Sequence, residues 1–223
     1  MKWFENVKGS RSCKFLQFDI DNFYPSISED LLIKALDWAE QYTFIDERSR
    51  RIVMHSRRNF LFDGQRFWCK SADSKFDVTM GAFDGGEVCE LVGLYMLHQV
   101  VVVKSIFEKE QIGLYRDDGL CMVEGGGPQI DHRRKELIKV FKENRLNITV
   151  EANTRRVSFL DVILDLDRQD YRPYHKPNAI INYVRKGSNH PPRVIENIPT
   201  GVNKRLNSRA SNKQCFEEEK RPY

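Results

Sequence analysis

The 223-residue sequence predicts an α+β fold, an antiparallel sheet backed by helices. Three observations carry that reading. Short apolar, β-prone segments recur along the chain, and amphipathic segments of helical period lie between them. Two pairs of apolar runs are separated by tight turn signals, Asp63-Gly64 and "RDDG" at 116–119, which favours hairpins and so antiparallel pairing. The hydrophobic content of 40% with 14 Phe is high enough to build a core, which excludes a disordered chain.

The elements follow in order. "SCKFLQFDI" (12–20) is apolar and β-prone, as a buried strand would be, and "DNFYPSIS" breaks it into a loop at Pro25. Ser26 and Glu29 have capping-box spacing, and Ser28 is the alternative N-cap, ahead of the amphipathic helix "EDLLIKALDWAEQY". A second helix is expected over 46–58 and an aromatic hairpin over 59–70. "FDVTMGAFDGGEVCELVGLYMLHQVVVV" (76–103) reads as a glycine-bearing loop and then a helix from about Glu87, apolar nearly all round and so expected to be buried. "IGLY" and "LCMV" form the second hairpin, with Asp117 and Asp118 at its tip. "EGGGPQ" is a flexible loop, "IDHRRKELIKVFKENR" a basic amphipathic helix, and "LNITVE" and "FLDVILDLD" are strands, with "DYRPYHKP" returning antiparallel to the latter. Beyond about residue 175, proline-rich and polar segments show little periodicity.

Composition narrows the function classes. Five cysteines lie scattered with no C-x-x-C pair, as reduced intracellular thiols would, and neither a zinc site nor a disulfide framework is expected. The N-terminus lacks the apolar core of a secretion signal, and "LVGLYMLHQVVVV" (91–103) is too short to span a bilayer. A soluble intracellular chain, nuclear or cytoplasmic and without membrane partners, is expected. Residues 168–223 hold 12 Lys and Arg against 5 Asp and Glu, while the preceding 167 residues hold 24 against 27. An acidic-leaning body followed by a basic tail suggests a cation site beside a polyanion-binding surface; a solvated tail without a ligand explains the charges equally well.

Asp117-Asp118 pose the chemical question. At a hairpin tip such residues are common for conformational reasons alone. However, the flanking strands are strongly apolar, and a second acidic strand end, Asp19 with Asp21, closes an equally apolar strand far away in sequence. If the two strands are neighbours, Asp19 and Asp117 converge. Clustered carboxylates raise one another's pKa and destabilise the fold, a penalty that a magnesium ion removes.

These residues carry a resemblance. "FLQFDIDNFYPSI" resembles motif A of reverse transcriptases and "IGLYRDDGL" their Y-x-D-D motif C. "TMGAFDGGEVCELVGLYML" stands where motif B falls, and "FLDVILDL" is similar to the primer-grip region, all four in the family's order. The downstream "YHKPN…YVRKGSNHPPRVIENIP…R" is similar to the segment after the palm in Penelope-like retroelements, the branch related to telomerase. The resemblance covers about residues 12–206 and implies a polymerase palm over 1–167, with a basic extension or partial thumb over 168–223.

It also implies an RNA-directed DNA polymerase that joins a dNTP to a primer 3′-hydroxyl with two magnesium ions, manganese substituting. Asp19, Asp117 and Asp118 would be the metal-binding carboxylates, with the Ile20 carbonyl as a further ligand. Tyr24, beside Phe23, would be the steric gate against a ribose 2′-hydroxyl, and Gly81, Asp84, Gly85 and Gly86 would lie along nucleotide and template. Tyr115 would pack at the primer end. Arg155, Arg156, Arg172, Lys176, Arg185, Lys186, Arg193, Lys204 and Arg205, with His175, Arg209 and interleaved tyrosines, would follow the RNA template and DNA primer.

Departures from the family pattern are specific. Asp84-Gly85 replaces the usual Gln-Gly of motif B. Only Arg155 and Arg156 stand where a lysine often acts as general acid, and arginine is a poor proton donor. About eleven residues precede the motif A strand, so the fingers segment, like any endonuclease domain, would belong to a larger polyprotein. The rival expectation is a catalytically inactive remnant that only binds nucleic acid or a partner protein; a metal-dependent nuclease ranks third.

Overall fold

The computed structural model describes residues 2–58, 60–68, 76–176, 183–184 and 187–220. The chain divides into two compact units, residues 16–152 and residues 1–15 together with 153–223. The architecture is mixed α+β, with open antiparallel sheets backed by helices.

Residues 16–152 carry the larger core. Strand β1 (Cys13–Ile20) alternates buried and accessible positions at its end: Phe18 and Ile20 are buried, and Asp19 between them is exposed. Two short helices follow. The first, α2 (Phe23–Ser26), forms where the sequence predicts a loop, and it begins after Asn22, which takes a left-handed φ of 50°. Helix α3 (Glu29–Ala39) starts at Ser28, whose Oγ accepts from the Leu31 N–H at 3.2 Å, so Ser28 and not Ser26 is the cap. Its Leu31, Leu32, Ala35 and Leu36 face the core. Helix α4 (Glu47–His55) is capped by Asp46 in the same way. The aromatic hairpin forms as β2 (Leu61–Phe62) and β3 (Phe67–Trp68), paired antiparallel; Cys69 lies outside the described residues.

Helix α5 (Gly85–His98) begins two residues earlier than predicted and runs on as a π-helical stretch, Gln99–Val103. With the run 91–103 as its C-terminal part, the whole helical segment Gly85–Val103, 19 residues, is long and apolar enough by length and composition alone to cross a bilayer. Here it packs through Val88, Cys89, Val92 and Met96 into the core that α3 also fills. Only one face is buried, however, and Leu94, Val102 and Val103 are exposed. Trp38 of α3 stacks near Tyr95 and His98 of α5, tying the two helices together.

Strands β4 (Ile112–Tyr115) and β5 (Asp118–Glu124) form the second hairpin, with Tyr115 opposite Asp118. Its two-residue turn puts Arg116 at a positive φ of 55°, the geometry that a tight hairpin requires. Helix α6 (Gly127–Glu143) takes up the end of the expected "EGGGPQ" loop, because Pro128 suits a helix's first turn. With β6 (Ile148–Thr154), the main sheet has the order β4-β5-β1-β6. Strand β1 therefore lies directly against β5.

In the other unit, "FLDVILDLD" is not one strand but the turn and second strand of a hairpin. β7 (Arg156–Phe159) turns at Leu160, with a φ of 55°, into β8 (Val162–Asp165), and β9 (Asp170–Pro173) pairs antiparallel to β8 as predicted. Where the sequence shows little periodicity, two helices form, α7 (Pro192–Arg209) and α8 (Lys213–Lys220), after α1 (Lys2–Val7) at the start of the chain. Cys13, Cys89, Cys121 and Cys215 are buried and in no disulfide.

Candidate functional site

The site lies within residues 16–152, where β1 ends beside the β4–β5 turn. The Ile20 N–H donates to the Asp117 carbonyl at 3.0 Å, so the last peptide of β1 is fastened to the hairpin tip. One residue along, the Asp21 N–H donates to the Asn147 carbonyl at 2.9 Å, and Asp21 accepts from the Thr149 hydroxyl at 3.0 Å. Asp21 is therefore engaged by the start of β6.

The register of β1 against β5 is visible at Gly119. A Cβ built there would fall 2.0 Å from Cζ of Phe18, whose ring covers the glycine. Side chains alternate between sheet faces, so Phe18 and Gly119 belong to the core face, and Asp19 and Asp118 to the other. Electrostatics agree with that placement. Burial, then the nearby Asp117 carboxylate and then Asp21, raise the Asp19 pKa. Asp118 is likewise raised by burial first, then by Asp117 and Asp19. Among the described residues none of the three is in an ion pair, so their repulsion is uncompensated within this unit's described part.

Asp19, Asp117 and Asp118 offer oxygen donors only, the chemistry suited to a hard divalent cation. Among the described residues, no three His, Cys, Asp or Glu side chains are gathered into a ready-made metal cage. The donor chemistry fits such an ion.

Around the acids, Tyr24 is half-buried on α2, and Phe23 beside it is 2% exposed in the core. Phe23, expected next to a nucleotide, is thus a packing residue, and Tyr24 alone can present a ring to a ligand. Tyr115 is half exposed on β4, with the Arg116 guanidinium 5.5 Å above its ring. Arg116 also reaches the start of α5, where a Cβ on Gly86 would lie 3.9 Å from its Nη2. Gly81 adopts a φ of +89°, which disfavours any side chain, and a Cβ on Gly85 would press to 3.0 Å from the Thr79 carbonyl.

Asp84, the motif B departure, is held by a residue that the sequence reading passed over. Arg57, 1% exposed, donates to both Asp84 carboxylate oxygens, to Ser56 Oγ at 2.8 Å and to the Val53 carbonyl at 3.2 Å. Asp84 therefore anchors α5 to α4 and is not free for a nucleotide. Arg116 was missed as well, although an arginine set between Tyr115 and two aspartates was a readable signal.

With the geometry in hand, comparison with known proteins adds one finding. No protein-family profile and no curated protein sequence matches the chain. Among solved structures, apo telomerase from Candida Tropicalis, truncated from its C-terminal domain, superposes with a TM-score of 0.54 at 15% identity, over 77% of this chain. The fold resembles telomerase. This chain spans 37% of the telomerase structure, and at that identity the likeness concerns the fold alone.

The basic residues of the other unit divide by environment. Arg155 donates to the Arg11, Cys13 and Leu166 carbonyls at 3.0–3.3 Å and pairs with Asp167, so its guanidinium is used within the fold. Arg172, 13% exposed, is likewise held by Asp170 at 2.7 Å and Glu218 at 3.2 Å. Arg156, Lys176, Arg193, Lys204 and Arg205 are exposed; Arg185 and Lys186 lie outside the described residues.

Proposed function

We propose that this chain is the core of an RNA-directed DNA polymerase, with a palm carrying motifs A to C and the primer-grip segment over residues 1–167 and a basic extension over 168–223. The reaction is nucleotidyl transfer. The primer 3′-hydroxyl attacks the α-phosphorus of a dNTP, a phosphodiester bond forms, and the bond to pyrophosphate breaks. The observation that carries this reading is the Ile20 N–H to Asp117 carbonyl hydrogen bond, which supports convergence of the motif A and motif C carboxylates.

Asp19, Asp117, Asp118 and the Ile20 carbonyl would hold two magnesium ions, with manganese able to substitute. When bound, such ions neutralise triphosphate charge and acidify the attacking hydroxyl. The chain's own residues do the positioning. Tyr24 would stand against the sugar C2′, where a 2′-hydroxyl would meet its ring. Tyr115 would support the primer's terminal base, and the exposed Arg116 places a cation where a phosphate could be met. Catalysis would rest on orientation and charge stabilisation. With only arginines at the primer-grip turn, the proton for pyrophosphate would come from solvent. A Penelope-like, telomerase-related retroelement source agrees with the motif order and with the fold likeness, and an upstream fingers segment of a larger polyprotein would complete the nucleotide grip.

The test is extension of a DNA primer on an RNA template with dNTPs and magnesium or manganese. Wild type is expected to extend and Asp117→Asn to lose extension; equal extension by both refutes the ligand assignment. A second reading, a remnant that binds nucleic acid or a partner protein without catalysis, is favoured by the engagement of Asp84 by Arg57. Salt-sensitive duplex binding with no extension, even with an upstream segment supplied in trans, would select it.

A further inference from the structure

We propose that the β2–β3 ribbon is a stacking platform for the unpaired bases of a single-stranded nucleic acid, with Phe62 and Phe67 as the rings that receive them. The inference rests on the polymerase reading above for one point only, that the strand is the unpaired template. The ribbon pairs Phe62 with Phe67 and Leu61 with Trp68. Directly opposed residues share a face, so the two phenylalanines lie side by side on one face, and Leu61 and Trp68 on the other. The phenylalanine rings stack with centroids 4.8 Å apart and planes inclined by 27°. They nevertheless remain 60% and 76% exposed, and Leu61 and Trp68 are exposed as well. Apolar rings left in water on a two-stranded ribbon add little to folding, and such a surface marks a place where something binds.

Charge, area and position select nucleic acid as the occupant. Arg66 stands exposed beside Phe67, and Arg58, exposed just ahead of the ribbon, makes only a 3.5 Å surface pair with Glu29. The ribbon's own acid, Asp63, is spent within the turn. It accepts from the Gln65 and Arg66 N–H groups at 2.9 and 2.7 Å and from the Trp68 indole N–H at 2.9 Å. Phosphates would therefore meet arginines while bases meet rings, the combination by which single strands are bound without sequence preference. The strands are two residues each, with their side chains divided between two faces. That falls far short of the about 20–30 residues a side of a stable protein interface, whereas a base needs one ring. The ribbon is also well placed. Arg57, next to Arg58, holds Asp84 immediately before α5, and its carbonyl accepts from the Asp77 N–H at 3.2 Å. The base of the ribbon is thus fastened to the segment leading into Gly85 and Gly86, where the polymerase reading runs the template.

The experiment is fluorescence anisotropy on the full chain, without metal or dNTP, comparing single-stranded oligo(dA) with an abasic strand of equal length and charge. The double variant Phe62→Ala, Phe67→Ala should weaken oligo(dA) binding by about tenfold or more and leave the abasic strand within about twofold. Phe62→Tyr, which keeps a ring, should bind oligo(dA) within about twofold of wild type. The slope of log K against log salt should be unchanged in the double variant and lowered by about 0.7 in Arg66→Ala, which loses a phosphate contact. Equal weakening on both strands, unchanged oligo(dA) affinity in the double variant, or no oligo(dA) binding by wild type overturns the inference. So does sedimentation showing a wild-type dimer that the double variant dissolves with oligo(dA) affinity intact, since a second copy would then cover the rings. No catalysis is measured, so failure here leaves the polymerase reading to its extension assay. A wild type that binds oligo(dA) as expected yet extends no primer overturns that reading and leaves the platform standing.

Discussion

Gly119→Ala tests the strand register on which the site depends, and here the structure opposes ordinary expectation. Adding a methyl to a strand glycine normally stabilises a protein by about 0.4–1 kcal/mol through the unfolded chain. At Gly119 the new Cβ would fall 2.0, 2.2 and 2.4 Å from three ring atoms of Phe18. Carbon atoms pack at about 3.5–4.0 Å, so the ring must retreat by about 1.5 Å. It has nowhere to go, being 1% exposed and edge-on to Phe141 at 5.4 Å between centroids. Overpacking of this kind costs about 1–3 kcal/mol, which leaves a net loss of about 1–2 kcal/mol after the backbone gain. In a chain of this size that lowers Tm by about 2–8 °C. Urea unfolding of wild type, Gly119→Ala, Phe18→Leu and the double variant isolates the contact. Gly119→Ala should cost at least about 1 kcal/mol less in the Phe18→Leu background. A neutral or stabilising Gly119→Ala would refute the register and separate Asp118 from Asp19.

Three further outcomes follow from the same geometry. Asp84→Ala strands the buried Arg57 guanidinium, and since Asp84 keeps about a third of its surface exposed, the loss should be about 2–3 kcal/mol by chemical denaturation, at or just below the low end of the range for breaking fully buried pairs. Asp19 and Asp118 have folded pKa values raised above 3.8. The folded state therefore holds protons that the unfolded state has released, and stability without metal should fall as pH rises from about 4 through the folded values, the full penalty standing above them. Asp117→Asn removes a charge that raises both, so its Tm should decline less between pH 4 and 7 than that of wild type. Finally, Arg155→Ala should destabilise the fold by about 1–2 kcal/mol by removing buried-carbonyl partners, whereas Arg156→Ala, 62% exposed at its side chain, should leave stability intact and lower the salt slope of nucleic-acid binding by about one.

The residues near Asp19 and Asp117 were legible because they obey local rules. Alternation marks Phe18, Asp19 and Ile20, turn chemistry marks the β4–β5 tip, and the Ser28 cap marks α3. What was missed broke such rules. The β7–β8 turn places Leu160 at a φ of 55°, a conformation that no sequence cue advertises for leucine. Helix α7 contains Pro199 and Gly201, residues that argue against a helix, and only Leu206 is buried along it. Helix α5 reads as buried all round from composition, yet burial depends on which neighbours reach it, and Leu94 has none covering it in this unit. Arg57 gains its role from a partner 27 positions away, Asp84, and a pairing at that separation leaves no trace in a local pattern.

Carboxyl ¹³C NMR of Asp19 against pH, in wild type and Asp117→Asn, asks most directly whether the two strand ends share one site. Convergence predicts an Asp19 titration above the ordinary aspartate range in wild type that moves down when the Asp117 charge is removed. An Asp19 that titrates identically in both proteins would show that the two carboxylates do not feel each other, and the site would not exist as described.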